Sequence, residues 1–254
     1  MAAEFIGNSA VNFAFEAMAQ LKVRGMFVLD RATAALLMFA TATIAASPLA
    51  AQTDDTATDP TAVTDGAAED AIREFTNWVV ASGDNNGSPF LVIDKVTARV
   101  FVFDDRSQFI AATPALMGAA VGDDSVPGIG DRELSAIRPE ERTTPAGRFV
   151  ARIGTATGNH EVLWVDYATS VSLHPVVNVR NERRSQRLKS PSPSDNRITY
   201  GCINVPASFY AKVVRPLFAE SQGIAYILPE TKPLTETFPA FAAHDRAMRA
   251  QISN

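Results

Sequence analysis

The sequence predicts a mainly β domain, β-sandwich-like or barrel-like, with a few flanking helices. Three observations carry that expectation. From Pro89 onward, apolar residues recur with period two in short runs. Clusters of Gly, Pro, Asp and Asn separate these runs, as turns require. Helical spacing is confined to one stretch before Pro89, one after Cys202 and one in the C-terminal tail. Many short strands with few helices suit one layered or closed sheet around a single core.

The N-terminal region, 1–51, reads as a signal peptide. Ala32 to Ala46, "ATAALLMFATATIAA", carries no charge; Lys22, Arg24 and Arg31 precede it, and "SPLAAQ" supplies a small-residue exit. The run is shorter than the ~20 residues of a membrane span. A buried core helix and an uncleaved anchor are the competing readings. "MFVLDRATAALLMFA", from Met26, is the more ordinary opening of a signal. Residues 52–68 are rich in Thr, Asp and Ala and read as a disordered linker. Residues 69–88 hold one amphipathic helix: Ile72, Phe75 and Val79 share a face, Glu69 and Asp70 suit the first turn, and Gly83 suits the stop.

The folded region spans 89–230. "FLVIDK" and "ARVFVFDD" form a hairpin or meander, and "SQFIAATPALMG" adds a strand. "AAVGDDSVPGIGDRELSAIRPEERTTPAGR" is mostly loop. "GRFVARIG", "EVLWVDY" and "TSVSLH" are three further strands. "PASFYAKVVRPLFAES" is helical, with Pro206 in its first turn and Pro216 a kink or break. "GIAYILP" closes the region as a strand, and 231–254 is a tail with helical character near Ala242 to Ile252.

With 46% hydrophobic residues the chain can bury a proper core, and a net charge of −5 argues against a general nucleic-acid binder. HExxH, CxxC and Walker patterns are absent, and three His with one Cys are too few to suggest a zinc site. One cysteine cannot close an internal disulfide. In an oxidising compartment a lone thiol is either buried and inert or needed for chemistry.

The setting of that thiol, "RITYGCINVP", suits chemistry. Gly201 lets the backbone approach a substrate closely. The N–H groups of Tyr200, Gly201 and Cys202 are candidates to face an oxyanion. A helix start at Pro206 would lower the thiol pKa. A structural turn beside a packed Cys is the bland alternative. A cysteine nucleophile wants a base. His244 lies in the polar tail and His160 in a turn, whereas His174 ends a strand, where a scaffold presents reactive groups.

"TTPAGRF" (Thr143 to Phe149), a strand ending in His174 and "TYGCIN" (Thr199 to Asn204) together resemble the catalytic domain of the L,D-transpeptidases, over roughly Phe90 to Pro229. The resemblance implies a β-sandwich-like fold, no cofactor, a periplasmic location and peptidoglycan stem peptides as the partner. It also implies a Cys202 thioester formed with release of D-Ala and resolved by an amine. Cys202 matches the nucleophile, His174 the base, Thr199 the hydroxyl position and Asn204 the Arg/Asn position. Arg197, Thr199 and Asn204 join the substrate-binding candidates. The same cysteine resolved by water would make a carboxypeptidase or another peptidoglycan hydrolase. A catalytically inactive wall-binding module is a further alternative.

Two features depart from the family pattern. Pro175 follows the His where Gly is usual, which removes an N–H but keeps a carbonyl that can orient the imidazole. Cys202 follows His174 by 28 residues, longer than is common, and the excess holds Arg180, Arg183, Arg184, Arg187 and Lys189. This insertion is either a solvated loop or short helix, or a cap whose Arg183, Arg184 and Arg187 attract the carboxylates of stem peptides.

Overall fold

A computed structural model describes residues 60–252. The signal-peptide region and the first part of the linker lie outside the described residues.

The first element is a helix, α1 (Pro60–Ser82). It begins inside the stretch read as linker. Pro60 is pre-organised for a first helical position, and Ala62, Ala67 and Ala68 favour continuation once the Ile72 face is docked. Gly83 ends it with φ +66, a conformation that costs glycine least. Ten strands follow: β1 (Phe90–Asp94), β2 (Arg99–Phe103), β3 (Phe109–Pro114), β4 (Met117–Gly118), β5 (Gly147–Ala156), β6 (His160–Asp166), β7 (Val171–Pro175), β8 (Arg197–Thr199), β9 (Ile203–Val205) and β10 (Gly223–Leu228). The mainly β expectation therefore holds, and the long Gly/Asp/Pro-rich connection before β5 carries only three 3-10 turns.

Eight strands form one sheet in the order β3-β2-β1-β10-β5-β6-β7-β9, and β4 pairs with β8 in a separate two-stranded ribbon. The ribbon segment joins both ends of the large sheet. Ala115 N donates to Ala98 O beside β2, and Leu116 and Asn204 exchange two backbone hydrogen bonds at 2.8 Å beside β9. The sheet thus curls nearly closed. Strands from both ends share one core that holds Leu91, Val100, Leu163, Leu173, Ile203 and Ile227.

Period-two alternation builds a second core on the outer face. In β1, Leu91 and Ile93 face the first core, while Phe90 and Val92 meet Phe75 and Trp78 of α1. Tyr226 of β10 and Phe241 of the C-terminal helix complete this aromatic layer.

After β9 the chain is helical from Ala207 to Phe218 in three pieces, the middle one a π-helical turn at Tyr210–Val214. That turn directly precedes the α-helical piece holding Pro216, so the missing N–H is absorbed without breaking the helix. The last helix, Pro239–Ile252, begins earlier than the tail's sequence signal at Ala242.

Candidate active site

β7 and β9 run parallel, with Leu173 opposite Ile203 and His174 opposite Asn204. Leu173 and Ile203 enter the core, so His174 and Asn204 share the other face and meet. Asn204 Nδ2 lies 2.9 Å from His174 Nε2, and His174 Nδ1 lies 2.9 Å from Pro175 O. The Pro175 carbonyl therefore does orient the ring, as its sequence position suggests. Ser172, two residues earlier on β7, falls on the same face as His174; its hydroxyl is 3.7 Å from Cys202 Sγ.

Cys202 occupies the turn from β8 to β9. Three contacts fix that turn. Thr199 Oγ1 donates to Cys202 O at 2.6 Å and accepts Gly201 N–H at 3.2 Å. Thr144 Oγ1 donates to Gly201 O at 2.8 Å. Gly201 has φ +132, and a Cβ there would come 2.7 Å from Thr143 O. Only glycine fits, because both the dihedral and the space exclude a side chain. The "TTPAGRF" motif is thus a clamp on the nucleophile turn.

Burial pushes the Cys202 thiol pKa up. The hydrogen bond and charge of His174, with the Ser172 amide and hydroxyl, outweigh burial and hold it below its ordinary value. The predicted helix start does not act here. β9 separates the thiol from the helix that opens at Ala207, and three strand residues span about 10 Å, beyond the short reach of a helix terminus.

These groups line a cleft of about 430 Å³. Ile129, Leu134 and Ile137 of the long connection, with Trp164 of β6, give it an apolar wall; Glu182 and Arg184 of the insertion line it as well. Tyr200 lines it too, its ring 4.0 Å below the Arg142 guanidinium.

The other predicted site residues lie elsewhere. Arg183 is exposed at φ +50 and is not on the cleft wall. Arg187 binds its own loop, donating to Glu182 O and Asp195 O. Arg197 turns away to Glu230 and Lys95 O, part of a buried charge cluster with Lys95 and Asp123. Thr199 touches the cleft, but its hydroxyl is engaged by the turn. Arg184 alone of the insertion's basic side chains lines the cleft. Ser172 and Thr144 escaped sequence reasoning. The i−2 relation of Ser172 to His174 on a strand was the signal available for it.

Among the described residues there is no cluster of His, Cys, Asp and Glu able to hold a metal ion, and no helix long and apolar enough to cross a membrane.

No protein-family profile and no curated protein matches the chain. Solved structures do match, at low similarity. An L,D-transpeptidase from Xylanimonas cellulosilytica is 13% identical, with a TM-score of 0.33, over 55% of this chain and 60% of that one. The helical cell shape determining protein Pgp2 from Campylobacter jejuni is 14% identical, with a TM-score of 0.36, over 62% of this chain and 56% of that one. An L,D-transpeptidase from Mycobacterium smegmatis is 13% identical, with a TM-score of 0.32, over 55% of this chain and 58% of that one. The chain spans less than two thirds of the length of each.

Proposed function

We propose that the chain is an exported, periplasmic L,D-transpeptidase that carries an acyl group on Cys202. The observation that supports this best is the meeting of Cys202, Ser172 and His174 in one cleft, on a turn held by Thr199 and Thr144.

Each step has a group to serve it. The Cys202 proton passes to His174 as sulfur attacks the carbonyl before the D-Ala of a tetrapeptide stem. The amides of Tyr200 and Cys202 receive the oxyanion, because the Gly201 N–H is bonded to Thr199 Oγ1. Collapse expels D-Ala, whose amine takes the proton from the imidazolium, and leaves a thioester. An acceptor amine attacks the thioester, its proton goes through His174 back to the thiolate, and the product is a cross-linked stem.

Mass spectrometry of the protein incubated with defined muropeptide tetrapeptides tests this reading. Cross-linked dimers are expected, and Cys202→Ala should form none. Tripeptide with free D-Ala and no dimer would indicate a carboxypeptidase; no turnover would leave a wall-binding module.

A further inference from the structure

Arg184 belongs to the basic insertion, yet its side chain is only 12% exposed and its contacts are internal. Its Nε pairs with Glu182 Oε2 at 2.5 Å, and its Nη1 donates to Asn204 Oδ1 at 3.1 Å. Asn204 is buried, and its other amide atom meets His174 Nε2.

Valence then assigns every proton in this chain of contacts. A guanidinium only donates, so the Asn204 atom that faces it must be the carbonyl oxygen. The amide NH2 therefore faces His174, and Nε2 must accept. A backbone carbonyl only accepts, so the His174 nitrogen against Pro175 O carries a proton.

We propose that Arg184 is a positioning residue. Through Asn204 it holds His174 in the tautomer with the proton on Nδ1 and the lone pair on Nε2, so Nε2, hydrogen-bonded to the Asn204 amide at rest, is the nitrogen able to take the Cys202 proton. The proposal rests on the reading of His174 as the general base. In the step it serves, the Asn204 N–H withdraws from Nε2, the S–H bond breaks, an Nε2–H bond forms, the electron pair stays on sulfur, and Nδ1 keeps its proton. Return of the Nε2 proton to the leaving amine restores the Asn204 contact.

The titratable and charged groups around the ring agree with this division of labour. Cys202 reaches it from the β8–β9 turn, and Tyr200 of that turn, Glu182 and Arg184 of the insertion and Arg132 of the long connection line the same cleft. Glu182 is neutralised by Arg184, and Arg132 by Glu141. The Asn204 amide and the Pro175 carbonyl each hold one ring nitrogen.

Nitrogen NMR of the full chain labelled with 15N-histidine, at mildly alkaline pH, reads the tautomer directly. With three histidines, His174→Gln assigns the resonance. The parent should show a protonated Nδ1 and a bare Nε2. Arg184→Lys, which keeps a donor, should preserve that pattern. Arg184→Met lets the amide turn and should give a mixture of tautomers. Asn204→Asp offers an acceptor and should place a proton on Nε2 while Pro175 O keeps the one on Nδ1. A parent spectrum with Nε2 protonated overturns the proposal, and so does a folded Arg184→Met protein with the parent's pattern. If Arg184→Met does not fold, the parent and Asn204→Asp spectra decide. No peptidoglycan is used, so failure here is distinct from failure of the proposed activity.

Discussion

Thr144 donates its hydroxyl proton to Gly201 O at 2.8 Å and accepts the Gly118 N–H at 2.9 Å. One fully buried side chain thus ties the nucleophile turn to the two-stranded ribbon. Thr144→Val keeps the volume and leaves both backbone groups buried without that partner. Each such loss costs about 1–3 kcal/mol. The midpoint in urea should fall accordingly, and acylation of Cys202 should slow more than in Thr143→Val. Thr143 binds Asp124 O on the far side of the same loop and does not touch the turn with its hydroxyl. Equal slowing in the two variants would contradict the clamp.

Gly201→Ala should be worse for activity than for folding. A Cβ at Gly201 meets the backbone oxygen of Thr143, which cannot rotate away, so the turn itself must shift. Misplacing a nucleophile by about an ångström can cost about 10²-fold in rate. Acylation is expected to fall by that scale while circular dichroism at room temperature stays close to that of the parent.

The thiol offers a pH test. Burial raises the Cys202 pKa, and His174 with Ser172 lowers it by more. The rate of alkylation by iodoacetamide follows the thiolate, so in the parent it should rise with a midpoint below the ordinary cysteine value of about 8.5. His174→Ala removes the largest lowering influence and leaves burial unopposed except by Ser172, so its midpoint should move upward. His160→Ala and His244→Ala should leave it in place, since neither residue lines the cleft. An unchanged midpoint in His174→Ala would remove His174 from the site.

How far the sequence discloses this site depends on how local each signal is. Cys202, Gly201 and His174 are legible because a lone thiol, a glycine before it and a strand-end imidazole are each marked within a few residues. β8 and β9 are not, because three residues are too few for period-two alternation to register. With β9 unseen, the helix start at Pro206, correctly located, is credited with lowering the thiol pKa, an effect that belongs to His174 and Ser172. Thr144 is hidden for another reason: its partner Gly201 lies 57 residues away, and only the folded sheet joins them. The insertion shows the limit of composition. Its charge suggests a common role for Arg183, Arg184 and Arg187, whereas backbone geometry sends them to solvent, to Asn204 and to their own loop.

That separation predicts different outcomes for the three arginines. Arg183→Gln removes an exposed charge, and exposed charges are screened over about 8 Å at physiological salt; turnover of muropeptides there should match the parent. Arg187→Gln loses donors to Glu182 O and Asp195 O. It should loosen the insertion, seen as faster proteolysis between Val179 and Asn196, with a smaller effect on chemistry. Arg184→Gln should slow acylation, because its donor to Asn204 is weakened. If all three behave alike, bulk charge rather than geometry governs the insertion.

The buried cluster behind the site predicts an acid limit to stability. Lys95 and Asp123 form an ion pair at 2.6 Å, with side chains 0% and 1% exposed. Burial pushes the Asp123 carboxyl up, but Lys95, the Thr231 hydroxyl and the amides of Glu230 and Lys232 together hold it well below the usual carboxylate range. A carboxyl with a lowered folded-state pKa contributes stability above its unfolded value, about 3.9 for Asp, and loses that contribution as pH falls through the folded value. The urea midpoint should therefore fall as the pH drops below about 4. Asp123→Asn keeps the shape but leaves the Lys95 charge without that buried partner, a loss of about 3–5 kcal/mol at neutral pH. Its own dependence on pH in the acid range should be shallower than the parent's. Lys95 also donates to the backbone oxygen of Thr144, the residue whose hydroxyl clamps Gly201 O. Asp123→Asn should consequently slow Cys202 acylation even at a urea-free pH where the variant remains folded, and a variant that loses stability alone would uncouple the cluster from the nucleophile turn.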